Sequence, residues 1–321
     1  MNQIPLVSVI VPAYNCTKYI PETLSSLFNQ DYPNIEIIVV NDGSKDDTLE
    51  LLKSYGKKIV LIDQNNAGAP GARNAGIRAA CGEFIAFCDS DDLWASNKVS
   101  SQITYLNQHS SVGMVYCHWH VWAPNNDGIF VMPFGFGRED HTQETDPDKS
   151  GWIYHKLLLD CICLTSSVMF RKSTIDKVGF FDPSLWNGDD YNYWLRTSRI
   201  TEIHKLKSSL VLYRILPQSV ARTPTKVHYE YEILKKAIIL WGVASPDGHK
   251  NNVGELRNRF ATMRFGFGFL HFKSGDPMIA VMSFLSSIQH KPFWYLPWAY
   301  LLMSLWKRLT FAANAVLTTT F

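Results

Sequence analysis

Apolar positions in the first ninety residues come in short runs, each followed by a longer stretch of helical periodicity. Residues 7–11 (VSVIV), 35–40 (IEIIVV), 59–62 (IVLI) and 85–88 (IAFC) are β-branched or apolar on both alternations, the pattern of strands buried on both faces. Between them, Ile20, Leu24, Leu27 and Phe28 fall on one helical face, with Pro21 tolerated in the first turn. Ser44 and Asp47 have the spacing of a capping box for a helix through Leu52, and Ala72, Ala75 and Ala79 make a narrow stripe suited to close packing. Strand and helix alternating in this way predict right-handed βαβ units: an α/β, Rossmann-like fold with a mainly parallel central sheet and helices on both faces.

Ligands of such sheets bind at the carboxyl ends of the strands, and each predicted strand runs there into a polar cluster. These are Pro12-Ala13-Tyr14-Asn15, Asn41-Asp42-Gly43-Ser44, Asp63-Gln64-Asn65 and Asp89-Ser90-Asp91-Asp92. The last gathers three carboxylates in four positions. Carboxylate oxygens are hard ligands, and Mg²⁺ or Mn²⁺ typically takes one or two of them while substrate phosphates and water complete the shell. An Asp-x-Asp therefore points to a metal-diphosphate site, although an acidic loop also serves as a solvated turn, and Asp92 suits the cap of a following helix. Asp42 can accept the imide N–H of a uracil, while Gly43 and Ser44 equally describe a turn and N-cap. Arg73 follows Gly68 and Gly71 close to a helix start, where it faces either a diphosphate or solvent. Downstream, Asp189 and Asp190 open an aromatic helix with Tyr193, Trp194 and Leu195; acids there complement the macrodipole, and two adjacent carboxylates raise one pKa, which suits a general base.

The ordered set Val7 to Asn15, Asn41-Asp42-Gly43-Ser44, Gly76 to Asp92, Val178-Gly179-Phe180-Phe181-Asp182 and Gly188 to Arg196 resembles family 2 of the inverting, nucleotide-sugar-dependent glycosyltransferases of GT-A fold. The resemblance covers about residues 5–220. It implies a nucleoside-diphosphate sugar donor, UDP-linked, and Mg²⁺ or Mn²⁺. By the same resemblance Asp42 contacts the base, Pro12 and Tyr14 wall the base or ribose, and Asn15, Arg73 and Ser90 belong to the donor site. Asp91 is then the inner metal ligand, with Asp89 on the ribose or on the metal shell. The catalytic base falls in the second acidic pair, Asp190 first and Asp189 second. One departure stands out. Family members often carry a His shortly after a Tyr-Arg pair, and here Leu216 follows Tyr213-Arg214 at that position, so the metal depends on carboxylate, diphosphate and water. Ser219 and Arg222 are the nearby groups able to hold a diphosphate.

Composition adds bounds. A length of 321 residues accommodates one large α/β domain with an appendage, placed at residues 1–222 and 223–321. A net charge of +2 and the absence of a basic stripe interleaved with aromatics give no case for nucleic acid. Six cysteines without a Cys-x-x-Cys read as reduced, and Cys117-His118-Trp119-His120 reads as strand rather than a zinc module. Residues 123–150 form a long Pro, Gly and Asp-rich loop on the acceptor side. Past residue 222 the pattern turns helical, at 231–241 and 255–272. Residues 293–306 hold five Trp or Tyr, followed by Lys307-Arg308 and a second apolar run. That run is too short to span a bilayer before the basic pair, which predicts an interfacial helix with a docking helix as the alternative. The expectation is a glycosyltransferase at the cytoplasmic face of a membrane, acting on a lipid-linked or membrane-proximal glycan. The rival readings are a sugar-phosphate nucleotidyltransferase and a non-catalytic nucleotide-sugar-binding partner.

Overall fold

A computed structural model describes residues 4–137, 143–216 and 224–318, with side chains to residue 306. The predicted strands form as β1 (Val7–Ala13), β2 (Ile35–Asp42), β3 (Val60–Gln64) and β4 (Phe84–Phe87). They pair in parallel in the order β3-β2-β1-β4. Four further strands complete one eight-stranded sheet: β5 (Leu93–Trp94), β6 (Val112–Trp122), β7 (Val168–Arg171) and β8 (Glu202–Arg214), in the order β3-β2-β1-β4-β7-β6-β8-β5. In this half β7 is antiparallel to both β4 and β6, and β5 is antiparallel to β8. The whole is a mixed α/β sheet, parallel where the βαβ rhythm holds.

Both faces are covered, because successive side chains of a strand point to opposite sides. Val7, Val9 and Val11 share one core with Ile20, Leu24 and Leu27 of α1 (Ile20–Phe28), Leu52 of α2 (Thr48–Ser54), and Val99, Ile103 and Leu106 of α4 (Lys98–Gln108). Pro21 sits in the first turn of α1, where its missing N–H costs nothing. On the opposite face lies α3 (Gly68–Ala79), where a Cβ at Gly76 would come within 2.3 Å of Ile10 Cγ2. The alanine stripe is thus completed by a glycine that lets the helix lie directly on β1. Two short helices, α5 (Tyr154–Leu157) and α6 (Lys172–Val178), come before α7 (Asp189–Thr197) in the chain. Further along that face Phe87 packs edge-on against Phe170 and Phe181, and Phe181 stacks on Tyr193 of α7.

Three local expectations are corrected. β3 is the sheet's edge, and its residues are exposed or half-buried because one side has no neighbouring strand. Ser44 does not cap α2: Asp47 is the N-cap residue, and the Ser44 hydroxyl accepts the Asn15 N–H instead. Nor does Asp92 cap a helix, since the chain continues directly into β5 and α4 begins six residues later at Lys98.

The chain divides into two compact units, residues 1–217 with 245–248, and residues 218–244 with 249–321. In the second, α8 (Tyr229–Trp241), α9 (Val253–Ser274), α10 (Pro277–His290) and α11 (Tyr295–Thr318) are all helical. A capping box, Asn252 with Glu255, opens α9. Ala280, Val281, Phe284 and Ile288 of α10 bury Leu301 of α11, with Phe265, Phe272 and Tyr300 packed around them. Residues 293–306 therefore dock one face inside this helical unit, while Tyr295, Trp298, Leu302, Leu305 and Trp306 remain exposed. No helix among the described residues is long and apolar enough to cross a membrane.

Candidate active site

β1, β2 and β4 run parallel, so the loops after their last residues lie along one edge of the sheet. At the first two the loops are tied together. Asn15, in the left-handed region at φ 47°, donates its N–H to Ser44 Oγ (3.1 Å) and accepts the Lys45 N–H on Oδ1 (2.8 Å). A short polar side chain satisfied locally is what makes that conformation affordable outside glycine. Tyr14 beside it is exposed and Pro12 half-buried. Asp42, at the end of β2, is buried, and its Oδ1 accepts both Gln64 Nε2 (2.7 Å) and the Ala67 N–H (2.9 Å). The carboxylate is thus held rigid by one oxygen.

After β4 the three aspartates diverge in environment. Asp89 accepts Arg73 Nη2 at 2.9 Å. Ser90 is half-buried, and its carbonyl accepts the Thr23 hydroxyl. Asp91 is pushed up to about 6 by burial and by the Asp89 charge, and no other side chain among the described residues donates to its carboxylate. Asp92 is fully buried; its Oδ1 accepts the Arg214 N–H (3.0 Å) and its Oδ2 the Ser166 hydroxyl (2.5 Å). Burial, then the charges of Asp91 and Asp89, raise Asp92 well above the ordinary carboxylate range. Its role is structural, tying this loop to the end of β8.

Arg73 connects this loop with the second acidic pair. It lies in the middle of α3, 6 % exposed, and is neither solvent-facing nor at the helix start. Nη2 meets Asp89, and Nη1 meets Asp189 Oδ2 at 2.6 Å. Burial alone would weaken the guanidinium, but Asp189, Asp89 and Asp190 outweigh it and hold it cationic. Asp189 is likewise pushed up to about 6 by burial, against the pull of Arg73 and with the charges of Asp190 and Asp89 adding. Its neighbour Asp190 is half-buried. Its Oδ2 accepts the Thr165 hydroxyl at 3.2 Å and its Oδ1 the Tyr191 N–H at 2.7 Å. Asp89 and Asp189, a hundred positions apart in sequence, therefore share one guanidinium.

The sequence profile of "Glycosyl transferase family 2" matches residues 8–174. An uncharacterized glycosyltransferase of Rickettsia typhi is 34% identical over 232 residues, 72% of this chain and 70% of the relative. The chain belongs to glycosyl transferase family 2. Another relative, the UDP-Glc:alpha-D-GlcNAc-diphosphoundecaprenol beta-1,3-glucosyltransferase WfaP of Escherichia coli, is 28% identical over 248 residues, 76% of this chain and 89% of its own. Among solved structures, S. aureus TarS in complex with UDP-GlcNAc aligns with a TM-score of 0.58 at 20% identity, covering 89% of this chain and 81% of that one. The mannosyltransferase PcManGT from Pyrobaculum calidifontis, in complex with GDP-Man and Mn²⁺, aligns with a TM-score of 0.57 at 19% identity over 96% and 88%. This glycosyltransferase accordingly has the GT-A fold.

Several groups around the site carry no signal in the sequence. Thr165 and Ser166 read as an anonymous polar interruption, yet they bond Asp190 and Asp92. Arg214 is 4 % exposed: its Nε donates to the Asp91 carbonyl, Nη2 meets Glu22, and its guanidinium lies over Tyr19, Trp122 and Phe130. Asn74 exchanges two hydrogen bonds with the Phe181 backbone, which fixes the segment leading to α7. Leu216, two residues past Arg214, is half-buried. Ser219 and Arg222 lie outside the described residues.

Proposed function

We propose that this glycosyltransferase moves a sugar, with inversion, from a nucleoside-diphosphate sugar, UDP-linked, to a hydroxyl of a lipid-linked or membrane-proximal glycan. The observation that carries the reading is Arg73, whose two terminal nitrogens bring the Asp89 loop and the Asp189-Asp190 pair to one place. A donor site without a base, or a base without a donor site, would need no such bridge. The name of the WfaP relative, a glucosyltransferase acting on a diphosphoundecaprenol-linked sugar, supports the lipid-linked acceptor.

In this reading Asp42 presents its second oxygen to the base edge of the nucleotide, with Pro12, Tyr14, Asn15 and Ser90 around the nucleoside. Asp91 and Asp89 are the donors for Mg²⁺ or Mn²⁺. The donor set fits. Asp91 and Asp89 offer hard carboxylate oxygens from one loop, the donor chemistry of an ion that takes few protein carboxylates and fills its shell with diphosphate and water. Asp91 is half-buried and forms no ion pair among the described residues, although the Arg214 charge acts on it from farther off. Bound there, the ion would neutralise charge on the departing nucleoside diphosphate. Arg73 spends both terminal nitrogens on Asp89 and Asp189, so its part is to position those acids rather than to clamp phosphate.

Asp190 is assigned as the base that takes the acceptor hydroxyl's proton as its oxygen attacks the anomeric carbon and the nucleoside diphosphate leaves. Asp189 is locked against Arg73 in a buried ion pair, whereas Asp190 is reachable. Asp190→Asn is expected to keep donor affinity within about twofold and to lose turnover by ~10² or more. Calorimetric titration of the donor beside a transfer assay tests this. An active Asp190→Asn with an inactive Asp189→Asn would transfer the role to Asp189, and a wild-type chain that binds donor without ever releasing nucleoside diphosphate would make the protein a binding partner instead.

The exposed aromatic stripe of α11 supports peripheral contact with a membrane, and we place that contact at the cytoplasmic face, where nucleotide sugars are made available. Trp and Tyr favour the headgroup level, and the sequence adds Lys307-Arg308 for anionic lipid.

A further inference from the structure

The segment between Leu164 and β7 places three hydroxyl residues, Thr165, Ser166 and Ser167, almost entirely out of solvent at 2 %, 0 % and 0 % exposure. Buried hydroxyls cost free energy unless each finds a partner, and here each one does. Ser167 donates to the Leu164 carbonyl and closes a single 3₁₀ turn, Thr165–Ser167. Ser166 accepts the Asp89 N–H at 3.0 Å and donates to Asp92 at 2.5 Å. Thr165, one residue earlier, donates to Asp190 at 3.2 Å. The turn thus touches both acidic motifs at consecutive positions. β7 leaves it antiparallel to β4, with Met169 opposite Ala86, which sets the turn beside the carboxyl end of the strand that carries the Asp-x-Asp-Asp loop.

The turn is itself anchored from below. Gln102 of α4 donates to the Ser167 carbonyl at 2.7 Å, and Lys98 Nζ, fully buried and 3.6 Å from the centroid of the Trp94 ring, donates to Gln102 at 2.8 Å. A polar chain through an otherwise apolar core makes sense where the group at its end must not move, since a partly satisfied network would be worse than an apolar one. Sheet pairing already holds β7, so the chain serves the turn rather than the strand.

We propose that Thr165 and Ser166 are positioning residues with separate duties: Thr165 orients the base carboxylate of Asp190, and Ser166 sets the donor-side loop through Asp89 and Asp92. The proposal rests on the functional reading above. Because the two hydroxyls belong to one rigid turn, they also fix the spacing between base and donor site, and displacement of a reacting group by about 1 Å can cost on the order of 10²-fold in rate.

The test uses the full chain, UDP with Mn²⁺ as the binding probe, and UDP release from UDP-glucose as the turnover probe. Thr165→Val keeps shape and removes the hydroxyl; it is expected to leave UDP affinity within about twofold and to lower kcat by about tenfold, the scale of one hydrogen bond to a charged group. Thr165→Ser restores the hydroxyl and is expected to restore kcat. Ser166→Ala should do the reverse, weakening UDP and Mn²⁺ binding and raising KM by about tenfold with the smaller effect on kcat. A Thr165→Val chain with wild-type kcat overturns the proposal. So does a pair of variants that lose kcat and UDP affinity together with the melting temperature and are not rescued by Thr165→Ser, because that is the mark of a merely structural turn. A wild-type chain that takes up no UDP and releases none overturns the functional reading, and this proposal with it.

Discussion

At the scale of single residues, burial sorts the five aspartates of the two acidic motifs more than sequence proximity does. Asp91 and Asp92 are neighbours, but Asp92 turns into the core to meet Ser166 and Arg214, while among the described residues the Asp91 carboxylate has only its own backbone N–H as a donor. Asp91→Asn is therefore expected to abolish the Mn²⁺-dependent part of donor binding with the melting temperature little changed; calorimetry with and without Mn²⁺ decides it, and undiminished metal-dependent binding would remove Asp91 from the metal site. Lys98 poses the converse case, a cation with no acid beside it. Burial lowers it from 10.5 to about 8. Between about pH 8 and 10.5 the unfolded chain holds this proton and the folded one does not, so the contribution of Lys98 to stability rises with pH across that window. The shift corresponds to something on the order of 3 kcal/mol. Urea midpoints of the wild type and Lys98→Met, compared at pH 7.5 and pH 10, should move in favour of the wild type at the higher pH; a constant difference would mean that Lys98 does not titrate there.

At the scale of elements, the contact of α3 with β1 sets where Arg73 can reach. A Cβ at Gly76 would collide with Ile10, so any larger side chain pushes the helix off the sheet and draws Arg73 away from Asp89 and Asp189. Gly76→Val is expected to destabilise the fold by ~1–3 kcal/mol and to lose activity beyond what that explains, with denaturant unfolding and turnover measured on the same protein. Pairing it with Ile10→Ala should recover part of both, since the two changes act on one contact. The strand calling for most reinterpretation is β3: its sequence, apolar on both alternations, describes an interior strand, yet it ends the sheet. Nothing in its own residues says how many neighbours will pair with it.

For the molecule as a whole, the helical unit combines a buried and an exposed apolar surface on the same helix. Leu301 of α11 is packed among α10 side chains, while Tyr295, Trp298, Leu302 and Trp306 follow one another at three- and four-residue steps on the outside, with Phe293 fully exposed just before them. Removing residues 293–321 would uncover the α10 core, so truncation confounds folding with binding. Substituting exposed positions separates them. Phe293→Ser with Leu302→Ser is expected to keep the melting temperature and to lose flotation with anionic liposomes, while the unsubstituted chain floats at low salt and less at high salt. A full-length chain that stays with the soluble fraction at both salt levels would end the membrane reading.

Local chemistry was legible from sequence because it depends on neighbours along the chain. Strand runs buried on both faces, Pro21 in a first helical turn, an acidic pair opening an aromatic helix and polar clusters at strand ends all follow from period, propensity and turn geometry within a few residues. The ordered motifs then carried the family. What the tertiary structure alone decided are the contacts between segments far apart in sequence: Arg73 shared by Asp89 and Asp189, Ser44 spent on Asn15 rather than on α2, Asp92 drawn under Arg214, and a Thr-Ser turn set beneath two acidic motifs. The reason is physical. A hydrogen-bonding group takes whichever partner the fold brings within about 3 Å, and the sheet order that does so, β4 next to β7 next to β6, belongs to the pairing of whole strands and to no single one of them.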